Sequence, residues 1–291
     1  MGRINGSTRT CGLIGNPVAH TLSPLIHNTL AEDLGHNLVY VPFPVEPGRV
    51  EEAVKGAEAL QLLGLNVTVP YKSAVLPWLR EIDDLAAKIG AVNTLVSVEG
   101  GYKGYNTDMT GLQRAMESDG IRLSEETVIL LGAGGAARAV AFLCAHAGVR
   151  QVYLLNRTIE KAQEIAGEVS RAFGRDCITA LPLAEYARIP DGKYLAIQGT
   201  SVGLYPNTEA AVIEEESFYK KIHTGYDLVY KPSQTKFMRL VREQGGSAYN
   251  GLKMLVFQGI HAYELWNGTA VDETEAEKIL KKIKEEMGID E

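Results

Sequence analysis

Four groups of residues in this 291-residue chain carry chemistry in their types and spacing. The first is Gly132-Ala133-Gly134-Gly135-Ala136-Ala137, which follows the apolar run Val128 to Leu131 and opens an alanine-rich stretch. Gly132, Gly134 and Ala137 match G-x-G-x-x-G/A at a strand-to-helix turn, where glycines let a pyrophosphate approach the backbone and the free N–H groups of the helix start hold it. The second group lies one strand later. Val152 to Leu155 is followed by Asn156, Arg157 and Thr158, with Lys161 one helical turn on. A carboxylate at that point would hold a ribose 2′-OH; Arg157 and Lys161 instead suit a 2′-phosphate, with Thr158 donating a hydrogen bond, so NADP is favoured over NAD. The competing reading makes Arg157 and Lys161 ordinary surface cations.

The third and fourth groups, each made of two short segments, begin in the first third of the chain. Thr21-Leu22-Ser23-Pro24 and Asn66-Val67-Thr68-Val69-Pro70-Tyr71-Lys72 supply hydroxyls, an amide and an ammonium. Gly90-Ala91-Val92-Asn93-Thr94 and Asn106-Thr107-Asp108 add amides and a carboxylate. All lie at ends of strand candidates, where ligands of open α/β sheets bind, and together they suit a polyhydroxylated acid. Singly, each has a structural explanation: Ser23-Pro24 as a helix cap with proline at N1, Asp108 as the cap of a helix beginning near Met109, Asn93 as a turn residue. Reducing a ketone needs a hydride on carbon and a proton on oxygen, and Lys72 is the expected acid, with Asp108 beside it favouring the charged ammonium and desolvation opposing it.

The elements that must position these groups are read from short apolar runs alternating with helical patterns, the mark of parallel βαβ architecture. Strands are expected at Thr10 to Ile14, Leu38 to Val41, Leu65 to Thr68, Thr94 to Val98, Val128 to Leu131, Val152 to Leu155, Leu195 to Gln198 and Tyr226 to Val229. Helices are expected at Pro24 to Leu34, after Pro47, over Lys72 to Leu79, and at Ala136 to His146, Ile159 to Ala172 and Lys236 to Gln244. The last segment, Leu252 to Trp266 and Asp272 to Met287, reads as all helical. The length suggests about two domains. Lys+Arg 29 against Asp+Glu 36 gives a net charge of −7, a poor match for phosphate backbones or anionic membranes. The three cysteines form no CxxC pair, and the six histidines show no HxxxH or HExxH spacing, so no metal is expected. Without an apolar h-region near the start or a long apolar run, neither a secretory signal nor a membrane span is expected, and a cytoplasmic setting follows.

The motifs GNPVAHTLSP (Gly15 to Pro24), NVTVPYK (Asn66 to Lys72), GAVNTL (Gly90 to Leu95), GYNTD (Gly104 to Asp108), GAGGAARA, NRT, GTSVG, DLVY (Asp227 to Tyr230) and GLKMLVFQG (Gly251 to Gly259) occur in the order found in the shikimate dehydrogenase family, which the chain resembles over nearly its whole length. The resemblance implies an α/β protein of two domains, an N-terminal substrate domain and a Rossmann-like NADP-binding domain, with the active site in the cleft between them. It implies NADPH-dependent interconversion of 3-dehydroshikimate and shikimate in aromatic amino-acid (chorismate) biosynthesis. Carried over position by position, Lys72 and Asp108 become catalytic, Asn66, Thr68, Asn93 and Gln258 bind the ring substituents, and Thr21, Ser23 and Tyr230 hold the carboxylate. Gly132 to Ala136 (including Ala133), Asn156 to Lys161, Leu228, Gly251 and Asp84 fall on the cofactor side. The domains are then expected as 1–106 plus 251–291 and 107–250. Two departures matter: Thr21-x-Ser23 stands where Ser-x-Ser is common, which bears on shikimate against quinate, and Lys161 stands where Arg is frequent, losing bidentate pairing.

Two readings from other classes compete. Gly199-Thr200-Ser201-Val202-Gly203 fits the G-x-S-x-G elbow of α/β-hydrolases, with Asp227 and His261 following in order, although Leu204-Tyr205-Pro206-Asn207 is a poor helix start. A catalytically silent NADP-binding sensor would share the cofactor site but need neither Lys72 nor Asp108. The expected partners are the small-molecule substrate, with no nucleic acid or membrane, for a monomer or homodimer.

Overall fold

Runs such as Val128 to Leu131 and Leu195 to Ile197 are apolar at every position, and a strand covered on both faces buries such a run completely. The structure, a computed structural model, describes residues 4–289 and divides into two compact units, Met1–Leu112 with Leu255–Glu291, and Gln113–Met254.

The first unit contains β1 (Arg9–Gly15), α1 (Ser23–Asp33), β2 (Leu38–Pro44), α2 (Val50–Ala59), β3 (Gly64–Val67), β4 (Glu81–Ile82), α3 (Asp84–Ile89), β5 (Thr94–Val98) and β6 (Gly101–Tyr105). Its sheet runs β2-β1-β3-β5-β6-β4. β1 is parallel to β2 and β3, but β5 is antiparallel to both β3 and β6. The sheet is therefore mixed, where alternation alone suggested parallel strands. Gly-Tyr-Lys-Gly-Tyr of β6 lacks an aliphatic run, so periodicity does not reveal the hairpin. Ile14, Leu65, Val67, Val92, Leu95 and Tyr102 belong to its core.

The helix expected over Lys72 to Leu79 does not form. The segment is a series of turns ending in one 3-10 turn, Leu76–Trp78. Pro77 has no N–H to donate to the Ser73 carbonyl, and Leu76 N–H bonds that carbonyl instead at 3.3 Å.

α4 (Thr107–Ser118) leads into the second unit, which holds β7 (Thr127–Leu131), α5 (Gly135–His146), β8 (Gln151–Asn156), α6 (Ile159–Phe173), β9 (Ile178–Pro182), β10 (Tyr194–Gln198), α7 (Glu216–Tyr219), β11 (Ile222–Asp227), α8 (Lys236–Glu243) and β12 (Ser247–Asn250). The strands are all parallel, in the order β12-β11-β10-β7-β8-β9. Read from β9, this is third, second, first, fourth, fifth, sixth in the unit's own chain order, the doubly wound dinucleotide-binding arrangement. The order reverses between β7 and β10, and ligands of such sheets bind beyond the strand ends at that point. Ile129, Leu131, Leu155, Ala196, Ile222 and Phe237 pack the core.

α9 (Leu252–Asn267) and α10 (Glu273–Met287) end the chain. Trp266 at the end of α9 is buried and donates its indole N–H to the Leu95 carbonyl at 2.8 Å, so the last segment completes the first unit. The expected domain limits, 106/107 and 250/251, precede α4 and α9, whereas the compact units divide at 112/113 and 254/255, inside these helices. The first turn of α4 is bonded to Asn93, while Ser118 and Asp119 at its far end pair with Lys253. A continuous helix can belong to one unit at one end and to the other beyond it.

Candidate active site

Strand pairing in the first unit gathers the polar clusters. Asn66 of β3 stands opposite Thr94 of β5, and Thr94 opposite Tyr105 of β6, just before Asn106, Thr107 and Asp108. The Lys72 carbonyl accepts from Val92 N–H at 2.8 Å, which ties the turn after β3 to the approach to β5.

On this frame the Lys72 ammonium donates to Asp108 Oδ2 at 2.6 Å, and Asn93 Nδ2 donates to Asp108 Oδ1 at 2.9 Å. The Lys72 and Asp108 side chains are 33% and 20% exposed, so the pair is held by the protein yet open to a ligand. Asp108 lies in the first turn of α4, where the helix dipole favours a carboxylate. Behind it Asn93 Oδ1 accepts from Thr107 N–H at 2.7 Å and from the Thr94 and Thr107 hydroxyls at 3.2 Å each. Asn66 Nδ2 donates to Thr94 Oγ1 at 3.1 Å, and the Tyr40 phenol donates to Asn66 Oδ1 at 2.7 Å. Thr94, Thr107 and Tyr40 are thus structural members of the site that residue types alone did not single out. The two threonines lay inside quoted clusters, but Tyr40 becomes visible only through the β2-β1-β3 order.

The capping alternatives resolve by geometry. Asn106, not Asp108, serves the start of α4, its Oδ1 accepting from Met109 N–H at 3.4 Å. Ser23 is the first residue of α1 and makes no cap; Thr21 Oγ1 donates to Ser23 Oγ at 3.1 Å and accepts from Ser23 N–H at 3.2 Å. Thr68 is half-buried at the end of β3, with its N–H on the Ile14 carbonyl at 3.0 Å. Gln258 on α9 turns its amide N–H back to the Leu255 carbonyl at 2.9 Å, and no hydrogen bond joins it to the Lys72–Asp108 pair. Asp84 is exposed at the start of α3.

His27 lies beneath this network, fully buried and stacked on Tyr40 with ring centroids 4.2 Å apart. Burial pushes its pKa down to about 3, the nearby Asn66 opposing this, so the ring is neutral.

In the second unit, Gly132 follows β7 with φ +104°, and a Cβ there would stand 2.6 Å from Thr200 Cγ2. Gly134, Gly135 and Ala136 are exposed, no side chain caps α5, and Cβ atoms on Gly134 and Gly135 would meet nothing within 4 Å. That open cradle, at a helix N-terminus and at the strand-order reversal, fits a pyrophosphate. β8 ends in Asn156, whose Nδ2 donates to the Thr158 carbonyl at 2.8 Å. Arg157, Thr158 and Lys161 are exposed, and among the described residues neither cation enters an ion pair. With no carboxylate at the strand end, these residues fit a 2′-phosphate. Leu228 and Gly251 meet backbone to backbone: a Cβ on Gly251 would lie 2.2 Å from the Leu228 carbonyl oxygen. Tyr230 follows, half-buried.

Asp227 is fully buried at the end of β11 and accepts from Thr235 Oγ1 at 2.6 Å, Val229 N–H at 3.0 Å and Gln198 Nε2 at 3.2 Å. Burial raises its carboxyl to about 6, the Thr235 and Val229 bonds opposing. It orders the loops after β10 and β11, a structural task different from a triad acid. The hydrolase reading also fails at Ser201. Between β10 and α7 the described chain has no helix, and an elbow needs one directly after the nucleophile.

Comparison with known proteins agrees with this geometry. Residues 13–95 match the family model of the shikimate dehydrogenase substrate binding domain, and residues 113–190 that of shikimate / quinate 5-dehydrogenase. The shikimate dehydrogenase (NADP(+)) of Moorella thermoacetica is 39% identical over 290 residues, covering 97% of this chain and 96% of that protein. The crystal structure of the Thermus thermophilus shikimate 5-dehydrogenase with NADP(H) and shikimate superposes with TM-score 0.82 at 35% identity, covering 94% of this chain and 99% of that one. The Listeria monocytogenes shikimate 5-dehydrogenase, in complex with shikimate and NAD, gives TM-score 0.88 at 29% identity over 96% and 99%. The ordered motifs, the two sheets and these matches make the chain a member of the shikimate dehydrogenase family.

Proposed function

We propose that the protein catalyses the reversible NADPH-dependent reduction of 3-dehydroshikimate to shikimate, an oxidoreductase step of aromatic amino-acid biosynthesis. The observation that carries this reading is the Lys72 ammonium held at 2.6 Å on Asp108, which Asn93 fixes from behind. NADPH, when bound, supplies the hydride. Lys72 delivers a proton to the oxygen that becomes the new hydroxyl, and takes it back in the oxidative direction. Its bond to Asp108 leaves two ammonium hydrogens for the ligand. Asp108, Asn66, Thr68, Asn93 and Gln258 bind and orient the ring hydroxyls, and Thr21, Ser23 and Tyr230 hold the carboxylate. Gly132 to Ala136 hold the pyrophosphate; Asn156, Arg157, Thr158 and Lys161 hold the 2′-phosphate end; Leu228 and Gly251 border the nicotinamide, with Asp84 a further cofactor contact. No described helix is long and apolar enough to cross a membrane, and the three cysteines are buried and free, which supports a cytoplasmic enzyme.

A broader quinate/shikimate activity is the second reading, favoured by the threonine methyl that Thr21 places among the carboxylate hydroxyls. Shikimate-dependent reduction of NADP, followed by nicotinamide absorbance beside the same assay with quinate, tests both. Turnover with shikimate is expected; comparable kcat/KM for quinate would establish the broader enzyme, and binding of NADP without turnover of either acid would leave only a sensor.

A further inference from the structure

The donors and acceptors of Asn66 and Asn93 are spent in opposite ways. Asn66 Nδ2 gives its hydrogens to the Asn93 carbonyl at 3.2 Å and to Thr94 Oγ1 at 3.1 Å, and Oδ1 accepts from the Tyr40 phenol at 2.7 Å. A side-chain amide has two N–H donors and two lone pairs on oxygen, so one lone pair is all that Asn66 can offer a ligand. Asn93 Oδ1 accepts from Thr107 N–H and two hydroxyls, while Nδ2 commits one hydrogen to Asp108. What Asn93 can offer is one N–H.

Tyr40 holds the far end of this chain. It is 2% exposed, its ring stacks on His27, and its hydroxyl is committed to Asn66 Oδ1. The phenol is therefore a buried anchor for the Asn66 amide, held in place by its ring stack. We propose that Tyr40 is a positioning residue that sets the hydrogen-bond polarity of the substrate site, holding Asn66 as an acceptor so that it selects a ligand hydroxyl able to donate. An oxo or O-alkyl group at that position of the ring loses the bond, since neither has a hydrogen to give. The inference rests on the proposed function for the ligand but not for the network.

Tyr40→Phe removes only the O–H and keeps the ring and its stack. An unanchored Asn66 must be ordered by the ligand, at a cost comparable with one hydrogen bond, so KM for shikimate is expected to rise roughly three- to tenfold. Lys72 and Asp108 are held by Asn93 and Thr107, so kcat and the KM for NADP should stay near wild type. An unchanged KM for shikimate, or a fall in kcat at constant KM, overturns the proposal. Nitrogen-15 NMR of the ligand-free protein gives a second readout that also survives poor folding of the variant. The Asn66 side-chain amide protons should exchange slowly in the wild type and faster in Tyr40→Phe; rapid exchange in the wild type, or equal rates in both, overturns it. Wild-type protein inactive on shikimate would instead remove the proposed function and leave amide exchange to decide the role of Tyr40.

Discussion

Lys72 draws its role from its surroundings, because a lysine on the open surface would be a solvated cation. One carboxylate oxygen of Asp108 takes its ammonium and the other takes Asn93, so the proposed proton donor has a fixed place. Lys72→Ala should therefore lower kcat by roughly 10²–10⁴, the range of a lost general acid, with folding and NADP binding retained; circular dichroism, cofactor titration and turnover measure the three, and wild-type kcat would remove the assignment. Lys72 and Asp108 were legible because an ammonium and a carboxylate at strand ends have few other uses. Their supports were not. Thr94 and Thr107 are unremarkable residue types, and the part played by Tyr40 depends on which strands are neighbours, a relation between residues far apart in sequence.

At the scale of elements, the cofactor preference is proposed to lie in the turn from β8 to α6. Arg157 and Lys161 are exposed and free of ion pairs among the described residues, so neither needs to abandon a protein partner to meet a phosphate. Arg157→Glu places a carboxylate against that phosphate, and its KM for NADP should rise roughly tenfold or more while that for NAD holds or falls; steady-state kinetics with both cofactors decide, and an unchanged NADP/NAD ratio would make Arg157 a bystander. Gly251→Ala tests the opposite kind of contact. Its Cβ would press on the Leu228 carbonyl, which is backbone and cannot rotate away, so a loss of about 1–3 kcal/mol is expected in urea unfolding. In the second unit β7, β8 and β10 were readable from their unbroken apolar runs, whereas β9 and β12 are interrupted by polar residues and were not expected, and β11 begins before the expected Tyr226. The β5–β6 hairpin was not readable, since β6 alternates glycine with tyrosine and lysine, and Lys72 to Leu79 resembled a helix until Pro77 is weighed for the bond it cannot give.

At the scale of the molecule, stability on acidification reflects two buried groups of opposite sign. His27, with a folded pKa of about 3 against 6.5 unfolded, takes up a proton only on unfolding, so its contribution is present above pH 6.5 and lost as pH falls towards 3. Asp227, raised from 3.8 to about 6, binds its proton more tightly in the folded state, so between these values its contribution grows as pH falls. The two oppose each other over that window. His27→Phe keeps a stacked ring and removes the first; its unfolding free energy relative to wild type should gain about 2 kcal/mol between pH 6.5 and 5, at about 1.4 kcal/mol per pH unit. Urea titrations at the two pH values measure this, and a pH-independent difference would show that the imidazole is protonated in the native state. Parallel strands and a dinucleotide turn were implied by the alternating runs and the glycines, whereas the strand order depends on non-local pairing and the division inside α4 and α9 was hidden because nothing local marks where a continuous helix changes neighbours.

Trp266, bonded to the Leu95 carbonyl across 171 residues, also imposes an order on biosynthesis. The second unit is one uninterrupted stretch, Gln113–Met254, and can close as soon as it has left the ribosome. The first unit emerges earlier but must wait, its β-sheet lacking the aromatic ring that seals it, until the last segment is made. The half proposed to bind the cofactor is thus finished before the half that carries Lys72, and a nascent or prematurely ended chain exposes the unsealed sheet.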